Sequence, residues 1–99
     1  MNVPKKYQEL LIHKMREEAC KKFMEYASQA YRCFCIDDYV NCFKFYLLAD
    51  ESLSIVSEDF LISMLEADSD FADAYGGYSH LLNYDFKVVI TEKEHVVNE

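Results

Sequence analysis

The stretch KKYQELLIHKMREEACKKFMEYASQAYRCF, residues 5–34, decides the fold class. Tyr7, Leu11, Met15, Ala19, Phe23, Ala27 and Tyr31 recur in it at steps of four, and Leu10, Tyr26, Ala30 and Phe34 widen the same stripe. Residues three and four apart share a helix face, so this spacing predicts an amphipathic helix. No Gly or Pro interrupts it. The pattern fits one helix of about 30 residues, roughly 45 Å long, or two helices meeting at an unmarked break. The charges crowd at Arg16, Glu17, Glu18, Lys21 and Lys22, which marks an exposed face.

Outward from this stretch, chain breakers stay scarce. Gly76, Gly77 and Pro4 are the only Gly and Pro in 99 residues, fewer than the turns of a β-sandwich or barrel require. With 52% hydrophobic and 15% aromatic residues, the chain can bury one core, which sets it apart from disordered sequences. The expected fold is mainly α, a small helical bundle of three to four helices with a short C-terminal β element. It forms a single domain over 1–99, with 92–99 as a frayed tail.

Ile36-Asp37-Asp38-Tyr39 reads as the first turn, with an Asp available as an N-cap. A second helix is expected from Tyr39 to about Ala49, central to the core because Tyr39, Phe43, Phe45 and Tyr46 place aromatic rings on more than one face. The polar run Asp50-Glu51-Ser52 should end it. Ser57 followed by Glu58 and Asp59 has the form of an N-cap with acids in the first turn, where the helix dipole favours them. Phe60, Leu61, Met64 and Leu65 give the third helix its buried stripe.

Asp70-Phe71-Ala72-Asp73 can open a fourth helix as a capping box. Two glycines inside that helix would cost about 2 kcal/mol relative to alanine, so it is expected to stop near Tyr75. Beyond it Tyr78, His80, Leu82, Tyr84, Phe86, Val88 and Ile90 alternate with their neighbours, a period of two that gives strand character over Phe86–Thr91. Asn83-Tyr84-Asp85 offers a turn within that run.

The formal net charge is −8, unevenly spread. The first 25 residues carry six Lys/Arg and four Glu, whereas no Lys or Arg stands between Lys44 and Lys87. That interval holds Asp50, Glu51, Glu58, Asp59, Glu66, Asp68, Asp70 and Asp73, with Asp85 beyond them. Such a surface repels nucleic acid and anionic membrane and attracts a basic protein surface. One version of that docking is mimicry of a nucleic-acid backbone, with carboxylates meeting the Lys and Arg that normally hold phosphates. The plainer reading is a solvated face.

Four cysteines and three histidines raise the question of metal. Cys33-Phe34-Cys35 directs its thiols about 200° apart on a helix, and Cys35 and Cys42, seven apart across the expected turn, have no partner pair at zinc-site spacing. His13, His80 and His95 lie far apart in no catalytic motif, and His80 on the apolar side of the alternating run reads as a structural histidine. Phosphate-cradling glycine loops and nucleophile elbows are missing. Asp68, Asp70 and Asp73 suggest a calcium loop, but Asp73 stands where the loop glycine belongs and Ser79 where the bidentate Glu belongs. No catalytic residue, metal or cofactor is expected. No apolar run reaches about 18 residues and charge precedes any apolar run at the N-terminus, so reduced thiols in a cytoplasmic setting are expected.

Phe23–Val56 resembles a single tetratricopeptide repeat, a 34-residue antiparallel helix pair. Tyr26 takes the aromatic position of its first helix, Ala30 and Cys42 the small positions, Asp38-Tyr39 the turn, and Tyr46 and Ala49 the second helix. Gln29, Cys33 and Ser54 depart from the pattern, and the similar Ala72-Asp73-Ala74-Tyr75 begins out of register. The resemblance implies a protein-binding scaffold without catalysis. The expected function is therefore a non-catalytic binding module of inhibitor, adaptor or chaperone type, docking a basic partner such as a nucleic-acid-binding protein through Asp50, Glu51, Glu58, Asp59, Glu66, Asp68, Asp70 and Asp73. The alternative is a structural, self-assembling protein, with the long N-terminal stripe pairing with a second copy as a homodimer.

Overall fold

A computed structural model of the chain describes residues 4–83, which form four helices. Residues 5–34 belong to one uninterrupted helix, α1 (Lys5–Cys35). Only part of its apolar pattern meets the core, for a geometrical reason. Each step of four advances the side chain about 40° around the helix, so the six steps from Tyr7 to Tyr31 carry the stripe about two-thirds of the way round. Ala19, Cys20, Phe23, Ala27 and Ala30 are buried, while Tyr7, Leu11 and Met15 before them and Tyr31 after them are exposed.

α1 ends on two aspartates with separate tasks. Asp37 takes the left-handed φ of 62°, which short polar side chains tolerate. Its N–H donates to the Phe34 carbonyl at 3.2 Å, and the Asp38 N–H to that of Cys33 at 2.9 Å. These two bonds satisfy carbonyls that a helix end leaves free. Asp38 then caps α2 (Tyr39–Leu53), its carboxylate accepting from the Asn41 backbone N–H at 3.3 Å and side-chain amide at 2.8 Å.

α2 does not stop at Ala49. Asp50, Glu51 and Ser52 form its last turn, with the Ser52 hydroxyl donating to the Leu48 carbonyl at 2.9 Å and Leu53 packed against the core. The polar run ends no helix because its side chains lie on or near the solvent side of that turn. α3 (Glu58–Ala67) starts at Ser57, which accepts from the Phe60 N–H at 3.3 Å, and lays half-buried Phe60, Leu61, Met64 and Leu65 against the core.

Asp68 closes α3 and opens α4 (Ser69–Leu82). Its N–H returns to Met64 at 2.9 Å and its carboxylate accepts from Asp70 and Phe71 at 2.9 and 3.2 Å. Asp68 therefore holds the capping role that the sequence reading gave to Asp70. α4 also passes through both glycines instead of ending near Tyr75. Phe71, Ala74, Tyr75, Tyr78 and Leu81 follow the helical period and pack into the core, which offsets the glycine cost. Across Tyr78–Leu82 this period prevails over the alternation. The strand expected at Phe86–Thr91, the rest of the 83–85 turn and the 92–99 tail lie outside the described residues.

α2 runs antiparallel along the second half of α1, pairing Phe34 with Tyr39 at the turn and stacking Tyr26 on Phe45 further along. α4 lies alongside the same half of α1 in parallel, so that Phe71 meets Phe23 and His80 meets Tyr31. Small buried residues, Ala27, Ala30, Cys42 and Ala49, let the backbones approach. α3 reaches back to the first half of α1, where the Phe60 ring meets His13 edge-on and lies under the Arg16 guanidinium.

Gly76 occupies open space: a Cβ there meets nothing within 4 Å. Gly76→Ala is therefore expected to raise stability by about 0.5–1 kcal/mol, through helix propensity alone, and the melting temperature by several degrees. Chemical and thermal denaturation followed by circular dichroism measure it. A loss of stability would show that α4 does not run through this position.

Candidate interaction surface

The eight acidic positions singled out in the sequence lie on the second half of α2, on α3 and on α4, together with the corner between the last two. Seven are exposed and Asp68 is half-buried. They do not form one row. Glu51 borders a groove of about 660 Å³ between α1 and α2, whose walls include Leu11, Met15 and Ile55 and whose rim carries Lys14 and Lys22. Asp70 and Asp73 border a second groove, of about 820 Å³, between α1 and α4.

Several acids have structural work. Glu58 and Asp59 occupy the first turn of α3 and Asp70 the first turn of α4, where carboxylates favour the helix dipole. Asp68 spends its carboxylate on capping. Asp50 accepts a 2.6 Å hydrogen bond from the Tyr78 hydroxyl, tying α2 to α4 across 28 residues of sequence. Glu51, Glu66 and Asp73 remain exposed with no such role.

The Tyr78 ring explains why that bond matters. It is buried, stacks on Tyr46 with centroids 5.3 Å apart and meets Phe23 edge-on at 5.1 Å. Its hydroxyl needs a partner at the end of a buried ring, and Asp50 supplies one at the surface. Burial first, then the hydrogen bond and charge of Asp50, push the Tyr78 hydroxyl well above its ordinary pKa. Burial and the Asp50 charge raise Tyr46 as well.

All four cysteines are free. Cys20 and Cys42 are buried, Cys33 is half-buried and Cys35 is exposed, so the two thiols of the C-x-C pair point apart. Burial raises Cys20; burial and then the Asp38 charge raise Cys33. Cys42 is pushed up to about 12, chiefly by burial. A nucleophilic thiol needs the opposite shift. No group of three or more His, Cys, Asp or Glu among the described residues is arranged to hold a metal ion.

His13 and His80 are the described histidines. His13 contacts Glu17 at 2.7 Å on the surface of α1. His80, expected on an apolar face, is exposed, because α4 is helical where alternation placed it in a strand. It touches the edges of Tyr31 and Phe34. No described helix is long and apolar enough to cross a membrane.

Sequence reading missed the groove between α1 and α4, because it ended α4 before Gly76 and Gly77, which line it. The signal was present in the spacing of Phe71, Ala74, Tyr78 and Leu81. No family model, curated protein or solved structure matches this chain.

Two outcomes are expected from these side chains. The unfolded chain ionises its tyrosines near about pH 10, while folded Tyr78 stays protonated, so the unfolded state binds fewer protons and stability falls as pH rises beyond that point. Tyr78→Phe should lessen this alkaline loss and cost about 1 kcal/mol at neutral pH, read from urea denaturation across pH. Among the thiols, Cys35 should be alkylated first in the folded protein, with Cys20 and Cys42 protected until unfolding; peptide mass mapping after timed alkylation gives the order.

Proposed function

We propose that the protein is a non-catalytic binding module that docks a basic surface of a protein partner. The observation that carries this reading is the charge of one contiguous part of the fold. From residue 45 to 83, α2's second half, α3 and α4 carry eight carboxylates and no Lys or Arg. Soluble surfaces ordinarily intersperse both signs. An anionic field of this kind speeds encounter with a cationic partner and disfavours nucleic acid and anionic membrane.

The helix pair over residues 23–56, with Ala30, Cys42 and Ala49 buried along it, supports a scaffold of the tetratricopeptide kind as the frame for that surface. The scatter of the carboxylates over two grooves and several helix ends favours an ordinary charged interface over a regular imitation of phosphate spacing. Within the set, Glu51, Glu66 and Asp73 are the exposed acids without a structural role, and Asp68 belongs to the fold.

A second reading, self-assembly, has its own observation. In the first half of α1, Tyr7, Leu10, Leu11, Ile12 and Met15 are each about half exposed. Sedimentation at rising concentration separates the two, since only assembly makes the mass concentration-dependent.

Immobilised protein is expected to retain basic proteins from a lysate of its source at low salt and release them at high salt, since screening shortens to about 3 Å at 1 M. The double variant Glu66→Lys and Asp73→Lys should lose that retention while keeping its helical spectrum. Equal retention by the variant would remove the charged surface from the explanation.

A further inference from the structure

The groove between α1 and α2 is apart from the anionic helices: among the described residues, none of its walls comes from α3 or α4. Leu11, Met15 and Ile55 line it at 52, 57 and 52% exposure. Tyr7, one turn before Leu11 and 53% exposed, continues the apolar ridge, since steps of four keep Tyr7, Leu11 and Met15 within about 80° of one another around the helix. Leu11 and Met15 thus belong both to the wall of a groove and to a ridge that can enter one. A surface of that kind is self-complementary, and two-fold symmetry lets two such surfaces fill each other.

Charge sets the direction. Lys14 and Glu18, one turn apart, flank the ridge on the same groove. In a parallel pair of α1 helices each would face its own like charge. In an antiparallel pair Lys14 of each copy meets Glu18 of the other, with the axis at the level of Arg16. The helices then overlap from Lys5 to Ala27, about 35 Å. The area is sufficient. At about half exposure, Tyr7, Leu11, Met15 and Ile55 each leave on the order of 100 Å² open, so two copies bring about 800 Å² of apolar surface, the apolar share of a homodimer interface of about 1,200 Å².

We infer that the protein forms a two-fold dimer in which the first half of α1 of each copy lies antiparallel in the α1–α2 groove of the other, Met15 beside the axis and Lys14 paired with Glu18 of the second copy. The inference rests on the self-assembly reading and adds its surface and geometry. It is independent of the acidic surface, because α3 and α4 take no part in the groove.

The test is sedimentation equilibrium of the whole chain under reducing conditions, which keep the exposed Cys35 from bridging copies. The mass should rise toward that of two copies through about 1–100 μM. Met15→Asp, at a position exposed in the single copy, should stay monomeric throughout with an unchanged helical spectrum. Lys14→Glu should weaken the dimer about tenfold, and adding Glu18→Lys in the same chain should restore it to within about threefold, because exchanging the charges rebuilds both pairs. The mass of one copy at every concentration would overturn the dimer together with the assembly reading. A dimer indifferent to Met15→Asp would overturn the groove and leave assembly standing on another surface. A dimer indifferent to Lys14→Glu, or weakened by it and not restored by the exchange, would overturn the antiparallel pairing.

Discussion

The arrangement of the four helices depends on the burial of one ring. Phe23, at the middle of α1, has no exposed surface and lies 5.5 Å from Phe71, 6.1 Å from Tyr75 and 5.1 Å from Tyr78, centroid to centroid. All three neighbours come from α4, which is how the last helix is held along the first. Each such aromatic side chain removes a large apolar area from water, on the order of 2–3 kcal/mol, and the tilted and edge-on contacts add to it. Ala27 and Ala49 are the small counterparts of these rings in the same cluster, and Ala30 and Cys42 play that part around Leu81 in a second one.

This packing explains two features that local rules alone oppose. α4 keeps its helical path through Gly76-Gly77 because Tyr78 and Leu81, beyond them, gain more from burial than the glycines lose in propensity. Tyr78 is drawn inward with its hydroxyl at the rim, where Asp50 accepts its hydrogen bond. One carboxylate of an apparently superficial acidic run is thus part of the link between α2 and α4. Asp37, Asp38, Ser57 and Asp68 show the same economy at the helix ends, where polar side chains and turns do what a chain nearly without Gly and Pro cannot do otherwise.

What remains after these structural roles is a molecule with two unlike surfaces. The first half of α1 exposes apolar residues among charges of both signs, while α3, which reaches back to it, and α4 are anionic and carry no Lys or Arg. One groove lies between α1 and α2 and another between α1 and α4. Burial raises the thiol pKa values of Cys20, Cys33 and Cys42, the opposite of the shift that activates a thiol.

Much of this was legible in the residues themselves. The spacing over 5–34, the Asp-Asp turn and the Ser57 cap depend on interactions within a few residues, so local pattern determined the helical class, the first turn and the start of α3. The charge asymmetry is likewise a property of composition. The end of α2, the course of α4 and the division of the acids into structural and exposed ones were decided only by tertiary structure. Each depends on partners far apart in the chain, Phe23 with Phe71 and Tyr78 with Asp50, and a local pattern has no knowledge of which distant ring will enclose it. The same cause divides the long stripe of α1: periodicity marked all its apolar residues alike, and the lengths and positions of α2 and α4 decided which of them water still reaches.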